Sequence, residues 1–110
     1  MTIRKIDKEN WTSYFDRLSK ALRTKQVSIE VSPLGIGHQT EAKSLALGGL
    51  VYDHKSDLFE VQTENLDHLI HGPVTIFVDE TDSGVTSVEV VDSDGTKQLI
   101  VLSQPVEGMG

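Results

Sequence analysis

The feature that most constrains the fold of this chain is an amphipathic segment at residues 8–24. At about 100° of rotation per residue, its apolar side chains fall within an arc of about 120°. They are Trp11, Tyr14, Phe15, Leu18, Ala21 and Leu22. The pattern predicts one helix that buries this stripe against a core. Asp7 is the expected N-cap, and Asp16 and Lys20 have the spacing of an i,i+4 ion pair.

The rest of the chain has the two-residue hydrophobic period that is typical of β-strands. Strands are predicted at residues 27–31, 39–52, 58–63, 74–80, 86–92 and 97–103. The long strand 39–52 is expected to bend at Gly48-Gly49, where a bulge needs the backbone freedom of glycine. A short helical turn is predicted near 66–71, because Asn65 can cap it and Gly72-Pro73 stops it.

Together these segments predict an α+β fold. An N-terminal amphipathic helix packs on a mostly antiparallel, about six-stranded bent sheet or small barrel. A chain of 110 residues fits a single domain. We expect that domain to occupy residues 1–104, and residues 105–110 to form a flexible C-terminal tail.

The net charge of −7 arises from 17 acidic and 10 basic residues, which are unevenly distributed. Seven of the basic residues lie in residues 1–25, whereas residues 53–94 hold eleven acids and one base, Lys55. Because nucleic-acid affinity depends on cationic side chains, this balance argues against a nucleic-acid partner. The lack of cysteine excludes disulfides and thiolate metal sites. The apolar runs are too short for a transmembrane span or a secretory signal, so we expect a cytoplasmic protein with no membrane partner.

Two histidines provide the best candidate for a metal site. On a helical turn, His68 and His71 would project to one side, and Asp53 in the preceding hairpin could complete a transition-metal site. Further donors close in sequence are Asp67, His54 and Asp57. The alternative is structural: His68 packs or hydrogen-bonds beneath the sheet, and His71 ends the helical turn, where a cationic ring is favourable.

The remaining polar clusters predict structure rather than chemistry. The acidic segments 79–84 and 92–95 lack the ligand spacing of a calcium loop, and Asp and Gly are the residues that hairpin turns use. No serine lies in a nucleophile elbow. The sequence therefore predicts no catalytic residue and no cofactor.

Several motifs, taken together, are specific to one family. They are Trp11-x-x-Tyr14-Phe15, Tyr52-Asp53, Leu66-Asp67-His68-Leu69-Ile70, Val78-Asp79-Glu80 and Asp92-x-Asp94-Gly95. As a set spanning about residues 3–104, they resemble a family of small bacterial proteins known as domain of unknown function 5335. The resemblance implies a stand-alone bacterial domain and brings no activity, substrate or cofactor with it.

The sequence thus favours a non-catalytic protein-interaction or small-ligand-binding module with an unknown partner. It also predicts a possible homodimer, because about six strands leave sheet edges that self-pairing could cover. The alternative function is a metal-binding domain or metal-dependent enzyme that uses His68, His71 and a nearby aspartate.

Overall fold

The computed structural model describes residues 2–21, 25–32, 39–64 and 67–107. One α-helix, α1 (Trp11–Ala21), follows a 3₁₀ turn at Lys8–Asn10. The strands are β1 (Thr2–Ile6), β2 (Lys25–Ser32), β3 (Gln39–Asp53), β4 (Leu58–Thr63), β5 (His68–His71), β6 (Pro73–Thr81), β7 (Gly84–Asp92) and β8 (Lys97–Val106). They form a sheet in the order β1-β6-β7-β8-β2-β3-β4-β5, with every neighbouring pair antiparallel. The α+β class with an N-terminal helix is confirmed.

Helix α1 buries the predicted stripe. The buried side chains are Trp11, Tyr14, Phe15 and Leu18. Lys20 Nζ lies 3.2 Å from Asp16 Oδ2, which confirms the predicted ion pair. Asp7 occupies the predicted N-cap position, at the start of the 3₁₀ turn, but its carboxylate makes no capping hydrogen bond. Residues 22–24 of the predicted helix lie outside the described residues.

Aromatic rings join α1 to the sheet. The rings of Phe15 and Phe59 meet edge to face at 4.9 Å, and those of Trp11 and Tyr52 at 5.0 Å. Edge-to-face pairs add to the free energy gained from burial, because the positive ring edge meets the negative ring face. Trp11 also donates its indole N–H to the carbonyl oxygen of Ile6 at 2.9 Å, so its polar atom is satisfied inside the core.

Two strands differ from the prediction. β1 was not predicted, because Thr2–Ile6 lacks a two-residue hydrophobic period; its pairing with β6 is a tertiary contact. The helical turn near 66–71 is wrong: His68–His71 is strand β5, and Leu66 lies outside the described residues. β5 pairs with β4 and places Ile70 in the core opposite Phe59, and these contacts outweigh the local helix signals.

The sheet is open rather than closed. Among the described residues no pairing joins β1 to β5, so of the two predicted alternatives the barrel is not supported, and the eight strands exceed the expected six. The molecule nevertheless measures 34 × 30 × 28 Å, whereas a flat sheet would be thin in one direction. His68 on β5 donates from Nε2 to the amide oxygen of Gln98 on β8, although three strands separate these two in the sheet order. Both observations indicate a strongly curved sheet.

Beside part of β3, a side chain of helix α1 forms the hydrogen bonds that a neighbouring strand would otherwise form. Within the described residues β2 pairs with β3 as far as Leu47, and a shift in the β3–β4 register between Leu47 and Gly49 confirms the predicted bend. Beyond it, the Ser19 hydroxyl donates to the carbonyl oxygen of Leu50 at 2.7 Å and accepts from its N–H at 3.0 Å. One side chain therefore satisfies both backbone groups of Leu50 that face away from β4.

β8 continues past the predicted domain boundary at residue 104. Val106 pairs with Val85 and is 1% exposed, so the ordered sheet includes residues 105 and 106. Residues 108–110 lie outside the described part of the chain. The described residues also include no helix with the length and apolar character needed to cross a membrane.

Candidate ligand-binding face

The face of the sheet that points away from the core carries a row of neighbouring side chains on β6 and β7. Phe77 and Asp79 alternate with the buried Ile76 and Val78, so they point to the opposite, outer face. Phe77 pairs with Glu89, and Asp79 pairs with Ser87. Directly paired residues in an antiparallel sheet share a face, so these four side chains are neighbours on it.

β1 and β8 extend this row on both sides. Ile3 pairs with Asp79, and Leu99 pairs with Glu89. Together they enclose a cavity of about 340 Å³, called here the outer depression, which is lined by Ile3, Phe77, Val78, Asp79, Ser87, Glu89 and Leu99. This volume lies at the lower end of the range for small-molecule sites, about 300–1,000 Å³.

The outer depression combines an apolar floor with two carboxylates. Ile3 is 67% exposed, an unusual position for a large aliphatic side chain, and Phe77 and Leu99 are half-buried beside it. Asp79 and Glu89 stand at the polar side, and no salt bridge between described residues involves either of them. The site thus offers contact area for an apolar group and two carboxylates that form no salt bridge with a described residue.

Asp79 is the most unusual group in the depression. Its Oδ1 is buried and finds no hydrogen-bond donor among the described residues. The backbone carbonyl of the same residue is satisfied, because it accepts from Thr86 Oγ1 at 3.1 Å. A carboxylate with one oxygen removed from water and left unpaired is destabilised, and a cation at its other oxygen would lower that cost.

Two basic residues of β1 lie near the depression: Lys5 pairs with Phe77 and shares its outer face, whereas Arg4 points to the other face of the sheet. Arg4 pairs across β1 and β6 with the buried Val78, and its Nε and Nη2 both donate to Glu80 Oε1, at 3.1 and 2.7 Å. The hydrogen bond to Glu80 raises the pKa of Arg4 above its usual value. The Arg4 guanidinium also lies 5.7 Å from the centre of the Tyr14 ring. Its charge therefore compensates Glu80, and among the described residues neither Arg4 nor Lys5 forms a salt bridge with Asp79.

The structure separates the histidines that the sequence suggested as metal ligands. On strand β5, His68 shares the inner face with Ile70, whereas His71 is exposed on the outer face with Leu69. The helical spacing that would bring both rings to one ion is therefore absent. His68 is instead hydrogen-bonded to Gln98. His71 does not end a helix, so that part of the structural alternative is wrong.

Asp53 has a structural role in the β3–β4 turn. It accepts a hydrogen bond from the backbone N–H of Lys55 at 3.0 Å, and hydrogen bonds from Ser56 and Lys55 hold the pKa of Asp53 below its usual value. It lies in the same row as Leu58 and His71 across β3, β4 and β5. Within residues 2–21, 25–32, 39–64 and 67–107, no three His, Asp or Glu side chains are grouped as a metal site would require.

Comparison of the whole sequence with known proteins assigns the chain to a family. A protein-family model matches residues 2–109 and describes a family of unknown function, DUF5335. The chain belongs to this family. An uncharacterised protein from Aquifex aeolicus (strain VF5) is 46% identical to this DUF5335 chain over 101 residues, which is 91% of each protein. No solved structure matches the chain.

A second cavity of the DUF5335 chain lies between α1 and β3. It has a volume of about 350 Å³ and is called here the α1–β3 groove; its lining is Glu9, Thr12, Ser13, Asp16, Ser19, Leu50, Val51 and Tyr52. A neighbouring cavity of about 480 Å³ shares Glu9, Thr12 and Tyr52 with it and reaches the β3–β4 turn. The groove therefore continues along one side of the helix.

Tyr52 lines this groove, and a hydrogen bond fixes the position of its hydroxyl group. Its hydroxyl donates to Asp57 Oδ1 at 2.7 Å, and Lys8 Nζ lies 4.0 Å from the same oxygen. Burial, followed by the hydrogen bond to Asp57, raises the pKa of Tyr52 to about 12. Asp57 itself has a φ of 51°, a conformation that residues other than glycine rarely adopt. The tyrosine is thus a neutral, positioned donor at physiological pH.

The sequence analysis did not predict the outer depression or the α1–β3 groove of this DUF5335 chain. The signal for the outer depression was present: Phe77 and Asp79 alternate with Ile76 and Val78, and Leu99 begins an apolar run. What it lacked was the strand order that brings Ile3 next to Asp79. The α1–β3 groove had no sequence signal, because it depends on how α1 packs beside β3.

Proposed function

We propose that this DUF5335 chain is a non-catalytic binding module whose outer depression takes a small organic cation with an apolar body. The observation that carries the proposal is the pair of carboxylates, Asp79 and Glu89, which form no salt bridge with a described residue and lie beside an apolar surface that includes the 67%-exposed Ile3. An ammonium group would meet the carboxylates while its hydrocarbon part covers Ile3, Phe77 and Leu99. Both halves of such a ligand find a complementary surface.

The charge preference follows from the same residues. A neutral ligand could cover the apolar floor but would leave Asp79 and Glu89 unpaired. An anion would be repelled by both carboxylates and by the net charge of −7. An exposed ion pair contributes up to about 1 kcal/mol, so a cation should bind about fivefold more tightly than its neutral isostere.

Calorimetric titration with benzylamine, benzyl alcohol and benzoate tests this proposal. For ligands of this size we expect a Kd for benzylamine in roughly the millimolar range, about fivefold tighter than for benzyl alcohol, with benzoate weakest. Asp79→Asn should remove the preference for the amine and leave the affinity for benzyl alcohol unchanged. The matched control is Asp82→Asn in the exposed β6–β7 turn. Equal affinity for the amine and the alcohol, or the same loss in both variants, would contradict the proposal.

We also propose that the homodimer predicted from the sequence forms through β5. Both β1 and β5 are sheet edges in the described strand order. Two-fold pairing of β1 with itself about its central residue would bring Arg4 against Arg4, which is unfavourable. β5 instead presents Leu69, which is 45% exposed at the edge. Self-pairing there would cover both the strand edge and the leucine.

Sedimentation equilibrium tests the β5 dimer. We expect a concentration-dependent dimer in the wild-type chain, and an at least tenfold weaker one in Leu69→Lys, because the added charges would face each other at the pairing edge. The control is Val74→Lys, which adds the same charge at an exposed valine on β6. A wild-type chain that stays monomeric at millimolar concentration would remove the proposal.

A further inference from the structure

The edge of β3 beside α1 has unused backbone hydrogen-bonding capacity. Leu50 directs its N–H and C=O away from β4, where the Ser19 hydroxyl satisfies both. The register between β3 and β4 is regular from Gly49 to Asp53. Because backbone direction alternates along a strand, Tyr52 directs its N–H and C=O to the same side as Leu50.

Tyr52 has no equivalent of Ser19. Of the side-chain hydrogen bonds between described residues, none reaches the backbone N–H or C=O of Tyr52. Tyr52, although only 5% exposed, is among the residues that line the α1–β3 groove, and Thr12, Ser13 and Asp16 line it on the helix side. A strand edge beside a helix is the geometry in which domains bind extended peptides by adding a strand to the sheet.

The charges of the groove select the kind of peptide. Glu9 and Asp16 are the charged side chains in its lining, and both are exposed acids. Lys20 pairs with Asp16 from the solvent side, with its side chain 78% exposed, so a second cation can approach Asp16 from within the groove. Lys8 is 4.0 Å from Asp57 in the neighbouring cavity. An incoming chain with basic side chains would meet complementary charge along the helix wall.

We propose that the α1–β3 groove binds a short, extended, basic peptide segment of a protein partner. One peptide residue forms a hydrogen-bonded pair with Tyr52, accepting from its N–H and donating to its C=O. Alternate side chains of the peptide then lie against the acidic wall of α1. This site does not depend on the outer depression, which lies on β1, β6, β7 and β8.

The probe is an acetylated, amidated Lys-Val-Lys-Val tetrapeptide, with hydrogen exchange of the Tyr52 amide as the readout. At saturating peptide we expect the exchange rate of that amide to fall at least tenfold, since the N–H becomes paired. The same peptide with N-methylated backbone amides should bind at least tenfold more weakly. The Glu-Val-Glu-Val peptide should bind more weakly than the lysine peptide as well.

Two variants distinguish binding of the peptide in the α1–β3 groove from nonspecific electrostatic binding to an acidic protein. Thr12→Arg adds bulk and positive charge to the groove and should lower the affinity for the lysine peptide at least tenfold. Ser83→Arg adds the same charge in the exposed β6–β7 turn and should change it less than twofold. Equal binding of the N-methylated peptide, unchanged exchange at Tyr52, or equal effects of the two variants would overturn the proposal. None of these outcomes bears on benzylamine binding at Asp79.

Discussion

Leu18→Asp is expected to unfold the domain. Leu18 is 0% exposed, at the centre of the stripe by which α1 packs on the sheet. An aspartate there would place a carboxylate in the core with no partner, at a cost of several kcal/mol in addition to the lost apolar burial. Single domains have a total stability of only about 5–15 kcal/mol. Far-ultraviolet circular dichroism should show loss of the native spectrum at 25 °C without denaturant.

The control for this substitution lies two residues away on the same helix. Lys20→Asp replaces a side chain that is 78% exposed and removes the ion pair with Asp16. Exposed pairs of this kind contribute less than about 1 kcal/mol, so the urea midpoint should shift only slightly. Equal destabilisation by the two substitutions would show that α1 does not bury the face assigned to it.

Gly84→Ala has the second largest expected effect. Gly84 begins β7 with a φ of 126°, and an added Cβ would lie 2.4 Å from the carbonyl oxygen of Val106. Both the backbone conformation and the collision with the backbone of β8 oppose a side chain, so we expect a loss of about 3 kcal/mol or more in unfolding free energy. Equilibrium unfolding in urea measures it.

Gly48→Ala provides the matched control for the glycine. A Cβ at Gly48 would meet no atom closer than 3.5 Å, which is ordinary van der Waals contact, and its φ is not positive. We expect a change in unfolding free energy of less than about 1 kcal/mol. A small effect of Gly84→Ala would contradict the close packing of the end of β8 against the start of β7.

The parts of the fold that the sequence predicted are those with a local physical signal. Trp11, Tyr14, Phe15 and Leu18 repeat with a helical period, and α1 buries all four. Gly48 and Gly49 mark the bend in β3, where the register with β4 shifts between Leu47 and Gly49. The helical turn predicted near 66–71 was wrong because it was based on local capping and stop signals. The structure instead forms β5, whose pairing with β4 is a tertiary contact that such signals do not report.

The candidate sites depend on contacts that no local pattern reveals. Ile3 reaches the outer depression because β1 pairs with β6, more than seventy residues later in the sequence. His68 and His71 have a helical spacing, but a strand sends them to opposite faces. Ser19 satisfies Leu50 at a point of β3 beyond the described pairing with β2. Sequence patterns therefore predicted the elements, and the strand order created the surfaces.

The most direct test of a cation site in the outer depression is mapping of benzylamine binding by two-dimensional NMR. We expect amide shifts to concentrate at Ile3, Phe77, Asp79, Ser87, Glu89 and Leu99. In Asp79→Asn these shifts should require about fivefold more benzylamine, whereas the Asp82→Asn chain should follow the wild type. Shifts that cluster elsewhere on the sheet, or a titration curve that Asp79→Asn leaves unchanged, would show that Asp79 is not the carboxylate that recognises the cation.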